Sequence, residues 1–427
     1  MLELKRFTRR VMGRYVPFSE PYWDISEYDC VDGWLKGGEQ SDAKEKLKAL
    51  LLKKFPKAKE VVLANSGKSA LAVVLRLLGV GSNSEIILPS FCCASVVAAV
   101  ISARCTPVFV DSDCYGNIEY SSVLEALSLN TSAILVPHLF GREADSLTNL
   151  LDLGRNRNIF IIEDVTQAFG LRFSDGLLAG SRGDAAIFSC GMGKPIMGTG
   201  GGWAILNTKP FNELFELQVE PFQESLFRIT NYLDRFYGKR SKRGRNEVLH
   251  SIRSRIKDFK HNQKKINLME WSRSQCKVYD ITDIEAWLTI KQIQKIDSNL
   301  SLREINASRW ACLLDSLNFK NQFRMPGVAK NIYATYPLFF KGEQGLLFSQ
   351  YLRHSFESMG VSTQPCYVPL HLRVYGNKFK KTRMNGLNNM WKGAFTLTTR
   401  PNLNEYDWAH IEECIAILHK KYDEKKY

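Results

Sequence analysis

The chain has no apolar run long enough to cross a bilayer, so a helical membrane span is not expected. Its ten cysteines include no C-x-x-C pair; Cys92 and Cys93 are simply adjacent. That spacing argues against zinc or any other thiolate metal site, and it suits a reducing cytoplasm in which thiols act as small core hydrophobes. Residues Met1 to Arg14 are rich in Arg and Lys with no apolar stretch behind them, so no secretion signal is expected. Two phosphate-binding motifs are missing as well. No G-x-G-x-x-G opens a helix after the first strand candidate. Gly193-Lys194 has Phe188 and Pro195 where a Walker loop needs Gly and Ser or Thr.

What the chain has is size and an uneven charge. Its 427 residues can bury a full core and make two or more domains. The net charge is +14. Residues 238–265 carry eleven Lys or Arg against Glu247 and Asp258, a local balance of +9. Residues 1–14 carry five basic residues against Glu3, a balance of +4. The rest is nearly neutral, so the basicity belongs to two appendages and not to a substrate channel.

Strand and helix patterns alternate over the first half. Strand candidates lie at 60–64, 85–88, 106–110, 133–137, 159–163, 185–189 and 203–206. Several are apolar on both faces, as buried parallel strands are, and helix-length segments separate the earlier ones. Ser66 is a natural N-cap for a helix carrying Leu71, Val74, Leu75 and Leu78 on one face. The pattern predicts an open α/β sheet with its ligand at the carboxyl ends of the strands. It stops near Thr208. A polar, helical-looking stretch follows to about Lys277, then a mixed region ending in a helix over 410–420.

The residues with chemistry fall at those strand ends. Ser66-Gly67-Lys68 opens a helix, where free N–H groups and the helix dipole would receive a phosphate; the plain alternative is a capping turn. Asp164 ends a buried strand, where a carboxylate wants a cationic partner or serves as a helix cap. Gln167 lies one helical turn on. Ser189 offers a hydroxyl to a phosphate or to a turn. Lys194 follows on a glycine-rich turn, where a solvated surface lysine is the ordinary reading. In chain order, however, a lysine on such a turn and a carboxylate closing an earlier strand suit pyridoxal 5'-phosphate, the lysine holding it covalently and the carboxylate keeping its ring nitrogen protonated.

The chain resembles the pyridoxal-phosphate-dependent sugar aminotransferases of the DegT/DnrJ/EryC1/StrS group, a branch of the type I, aspartate-aminotransferase fold. The resemblance runs through Asn65-Ser66-Gly67-Lys68-Ser69-Ala70-Leu71, Leu88-Pro89-Ser90-Phe91, Pro107-Val108-Phe109-Val110-Asp111 and Pro137-His138-Leu139-Phe140-Gly141. It continues in 163–170, 183–189, Lys194 and Gly200-Gly201-Gly202, and returns at Asp283-Ile284-Glu285-Ala286 and Tyr367-Val368-Pro369-Leu370-His371-Leu372. As an ordered set the match is specific, and it spares only the ends and the basic insert.

The resemblance implies a three-layer, mostly parallel α/β large domain at 36–208 and a smaller α+β C-terminal domain at 278–427. A basic N-terminal arm at 1–35 and a helical basic insertion at 209–277 complete the expected division. It implies Lys194 as the Schiff-base lysine and proton carrier and Asp164 as the partner of the ring nitrogen. Gln167 would lie against the ring hydroxyl, and Ser189 with Ser66, Gly67 and Lys68 would hold the phosphate. His138 and His371 fall in motifs near the active-site mouth, as substrate contacts or as structural histidines. A homodimer is implied too; separately, few aromatics interleave with the basic residues, so no nucleic acid partner is expected.

Two departures stand out. Where the family stacks an aromatic residue on the cofactor ring this chain has Cys93, so Cys93 or Phe91 would fill that place. The family's Asn-x-Arg, whose Asn reaches the partner subunit's phosphate, reads Val278-Tyr279-Asp280 here. Lys68, where the family has Thr, would supply a compensating charge.

In the insert, Leu249, Ile252, Ile256 and Phe259 share one helical face opposite Arg and Lys, and Leu4, Phe7 and Val11 have the same look. Such a helix lies on an anionic membrane or acidic partner, or packs its stripe on the domain below. Three function classes follow. The first is an aminotransferase moving the amine of an amino acid, glutamate in the expected case, to a free or nucleotide-linked keto-sugar for polysaccharide or antibiotic assembly. The second is a sugar dehydratase of the same fold, whose relatives carry His in place of the lysine. The third is a catalytically silent scaffold.

Overall fold

The structure, a computed structural model, describes residues 15–36, 42–213, 216–237, 268–316, 323–324, 331–340, 342–373 and 375–423. The basic run 238–265 and the Leu4, Phe7, Val11 stripe lie outside the described residues.

Seven strands build the larger sheet: β1 (Glu60–Ala64), β2 (Glu85–Pro89), β3 (Thr106–Val110), β4 (Thr131–Pro137), β5 (Phe160–Asp164), β6 (Ala185–Ser189) and β7 (Gly202–Leu206). Their order is β1-β7-β6-β5-β4-β2-β3. β7 runs antiparallel to both of its neighbours, while β6, β5, β4, β2 and β3 are mutually parallel. The observed spans match the expected strands to within two residues at each end.

Each strand is apolar on both faces because both are covered. Ala133 and Leu135 of β4 join one core with Leu71, Val74 and Leu75 of the Gly67–Leu77 helix and Val97 and Val100 of the Ala94–Ser102 helix. Ile134 and Val136, pointing the other way, join a second core with Leu47, Leu51, Leu147 and Leu150 from the Ala43–Lys54 and Leu147–Arg157 helices. The result is the three-layer α/β arrangement.

A second, antiparallel sheet of four short strands has the order β10-β11-β9-β8, from Phe323–Arg324 (β8), Tyr336–Phe340 (β9), Gln364–Pro365 (β10) and Phe395–Leu397 (β11). Its core holds Trp310, Phe356 and Trp408 from three long helices. Two packings bear on the expected division. The Asp283–Gln294 helix packs Ala286, Ile290 and Ile293 on the larger sheet's core, while the smaller core takes Val16 and then residues from Ala307 onward. The second half of the expected N-terminal arm is an Ile25–Leu35 helix, started by an Asp24–Glu27 capping box, whose Cys30 and Val31 pack on Ile229, Ile284 and Leu288. Among the described residues no helix is long and apolar enough to cross a membrane.

Candidate active site

Three strand ends converge at the carboxyl edge of the larger sheet. After β1, Ser66 caps the Gly67–Leu77 helix, its Oγ accepting the Ser69 N–H at 3.3 Å. A methyl group on Gly67 would sit 3.0 Å from both the Phe188 carbonyl oxygen and Ser189 Cβ. Glycine therefore lets this turn press against the end of β6. There Ser189 pairs with Gly202 across to β7, and its Oγ accepts the Gly191 N–H at 3.2 Å.

Asp164 is the last residue of β5 and is buried. One carboxylate oxygen accepts the Thr166 N–H at 3.0 Å. Lys194, half-buried on the turn after β6, donates from Nζ to Thr166 Oγ1 at 3.4 Å. Thr166 thus bridges the amine and the carboxylate. Sequence reasoning gave Thr166 no role, although its place between Asp164 and Gln167 was a signal.

Gln167 is committed to the protein on both sides. Its Oε1 accepts the Phe140 N–H at 2.8 Å, and its Nε2 donates to the Tyr367 hydroxyl at 2.6 Å. Tyr367, from the small domain, is a site residue that sequence reasoning quoted only as part of a motif. Its ring stacks on Phe140 (6.5 Å, 22°) and meets Phe91 edge-on (5.8 Å, 79°). Burial, with Cys93, Asp164 and the Cys92 and Cys366 thiols nearby, pushes its phenol well above the usual tyrosine value. Cys93 sits at the cap of the Ala94–Ser102 helix with its sulfur 3.0 Å from Ser95 Oγ. Phe91 is fully buried in the core.

His138, expected as a substrate contact or as a structural histidine, has both ring nitrogens engaged by the protein. The ring is buried; Nδ1 accepts the Ala144 N–H at 3.1 Å, which leaves Nε2 to donate to Glu163 Oε2 at 3.1 Å. Both nitrogens are spent inside the fold, so His138 is a structural histidine. His371 is also buried, with Nδ1 2.7 Å from Ser90 Oγ, and burial followed by Lys381 lowers its pKa. Through Nδ1 it ties the end of β2 to the 370–372 turn.

Lys68 is half-buried in the first helical turn and forms no ion pair among the described residues, whereas Lys44 pairs with Asp280 and Lys277 with Glu224. The divergent Val278-Tyr279-Asp280 segment is sewn to this same turn: Asn65 N–H donates to the Tyr279 carbonyl at 2.9 Å, and Ser69 Oγ to that of Lys277 at 3.1 Å.

A sequence model of the DegT/DnrJ/EryC1/StrS aminotransferase family matches residues 29–229 and 239–416. GDP-perosamine synthase of Escherichia coli O157:H7 is 23% identical over 353 residues, covering 82% of this chain and 83% of that protein. Helicobacter pylori PseC, described as an aminotransferase involved in the biosynthesis of pseudoaminic acid, superposes with a TM-score of 0.71 at 17% identity, covering 96% of this chain and 100% of the other. NtdA of Bacillus subtilis, solved with bound cofactor PMP, gives a TM-score of 0.70 at 17% identity, covering 95% of this chain and 86% of its own. At such identities the solved structures speak for the fold.

Proposed function

The chain belongs to the DegT/DnrJ/EryC1/StrS aminotransferase family, and from that premise we propose that it is a pyridoxal-phosphate-dependent enzyme that passes an amine from an amino acid to a keto-sugar. The observation carrying this reading is the Lys194–Thr166–Asp164 bridge, an amine and a buried carboxylate joined through one threonine at the sheet edge.

The residues present fit that cofactor. Bound at this edge, it supplies an aldehyde that exchanges amines and a ring that accepts electrons. Asp164 has one oxygen engaged by Thr166 and sets its negative charge against the ring nitrogen. Lys194 would hold the cofactor covalently and would carry the proton taken from the donor's α-carbon. Thr166 Oγ1 would steady that amine through its hydrogen bond. Ser189 and the Ser66–Lys68 turn hold the phosphate on the helix N-terminus, with Lys68 as the added cation. The Phe91, Phe140 and Tyr367 rings wall the site against water.

The keto-sugar acceptor is supported by the GDP-perosamine synthase relative; glutamate as donor, a homodimer and a peripheral contact of residues 238–265 with an anionic surface complete the proposal. Lys194 in place of the dehydratases' His favours transamination. Borohydride reduction followed by peptide mass mapping tests the central claim. The adduct is expected on the Lys194 peptide and absent from Lys194→Ala, and an adduct elsewhere, or none in a folded sample, overturns it.

A further inference from the structure

We propose that Tyr367, clamped by Gln167, donates its hydroxyl proton to the phenolic oxygen of the bound pyridoxal phosphate; this rests on the cofactor reading above. The proton can be traced. Phe140 N–H donates to Gln167 Oε1, which fixes which way round the carboxamide sits. Its NH2 therefore faces Tyr367, 2.6 Å away, and the phenol oxygen is the acceptor. The hydroxyl proton must then point elsewhere, and among the described residues none accepts it. A half-buried O–H whose proton has no protein acceptor is open to an oxygen of a bound ligand.

The surroundings limit where it points. Phe140 and Phe91 hold the ring in place, so it cannot turn aside. Asp164 and Cys93 both bear electrostatically on the phenol. The titratable groups bearing on it are Cys93, Asp164, Cys92 and Cys366, each disfavouring its ionisation, so the proton is retained. On a pyridoxal ring the nitrogen and the carbon that bears the phenolic oxygen are separated by one ring carbon. A carboxylate for the first and a donor for the second belong side by side.

Tyr367→Phe removes the hydroxyl and keeps the ring. Loaded enzyme is titrated by visible absorbance. The donor steadies the charge that develops on the phenolic oxygen when the lysine–cofactor linkage loses its proton. The band's midpoint in Tyr367→Phe is therefore expected to rise by about one pH unit, the size of one lost hydrogen bond. Gln167→Leu, which frees the hydroxyl without touching the ring, is expected to shift it the same way by less, and serves if the first variant does not fold. An unchanged midpoint in a folded, loaded variant overturns the proposal while the cofactor reading stands. A wild-type protein that takes up no cofactor at Lys194 overturns both.

Discussion

Glu163 and Asp164 are neighbours on β5 whose side chains leave opposite faces of the strand, and they do opposite work. Asp164 looks toward the amine. Glu163 faces inward, where it accepts His138 Nε2–H and the backbone N–H groups of Gly180, Arg182 and Gly183 at 2.7–3.1 Å. Burial alone would raise its pKa, but the His138 and glycine N–H donors outweigh burial and lower it. With the folded value below the unfolded one, this stabilisation is complete above the unfolded carboxylate's 4.5 and is lost as pH falls through the folded value. Glu163→Gln places an amide N–H among donors, so it is expected to destabilise by about 2–3 kcal/mol. Urea unfolding followed against pH is the check: the variant should also show a flatter acid limb. An unchanged midpoint at neutral pH would contradict this account.

At the level of elements, the sheet was legible because buried parallel strands carry no polar face, so short apolar runs between turn residues marked all seven strands of the larger sheet. The positions of Ser66, Asp164 and Ser189 were legible for the same reason, since they lie where those runs stop, and Lys194 follows on the turn after β6. The partners were not. What decides His138 is Glu163 on the next strand, and what engages Gln167 is a phenol 200 residues later. Neither contact leaves a local pattern. The Gly200-Gly201-Gly202 run lies between. It was quoted as a motif, and its cause is packing: a methyl group on Gly202 would lie 2.5 Å from Gly67 N and 2.7 Å from the Phe188 carbonyl oxygen, all rigid backbone. Gly202→Ala is therefore expected to cost about 1–3 kcal/mol of stability by overpacking. It should also weaken cofactor binding measured by fluorescence titration, because the turn that moves is the one proposed to hold the phosphate.

Across the whole molecule, almost all of the net positive charge falls in two appendages. The helix leading into the larger one, Phe222–Tyr237, exposes Phe222 and Phe227. Full-length protein is expected to float with anionic vesicles at low salt and to lose this as ionic strength rises. A variant lacking residues 238–265 should stay in the pellet fraction, and equal flotation of the two would end the membrane reading. The larger sheet's one reversed strand has a different consequence. Because β7 runs backwards, the segment bearing Lys194 departs from Ser189 and comes home to Gly202, the opposite member of the same rung. A parallel successor would have carried the chain away to the far side of the sheet. Lys194 instead sits on a short tether staked at both ends, so its amine can shift within the site without the scaffold having to bend.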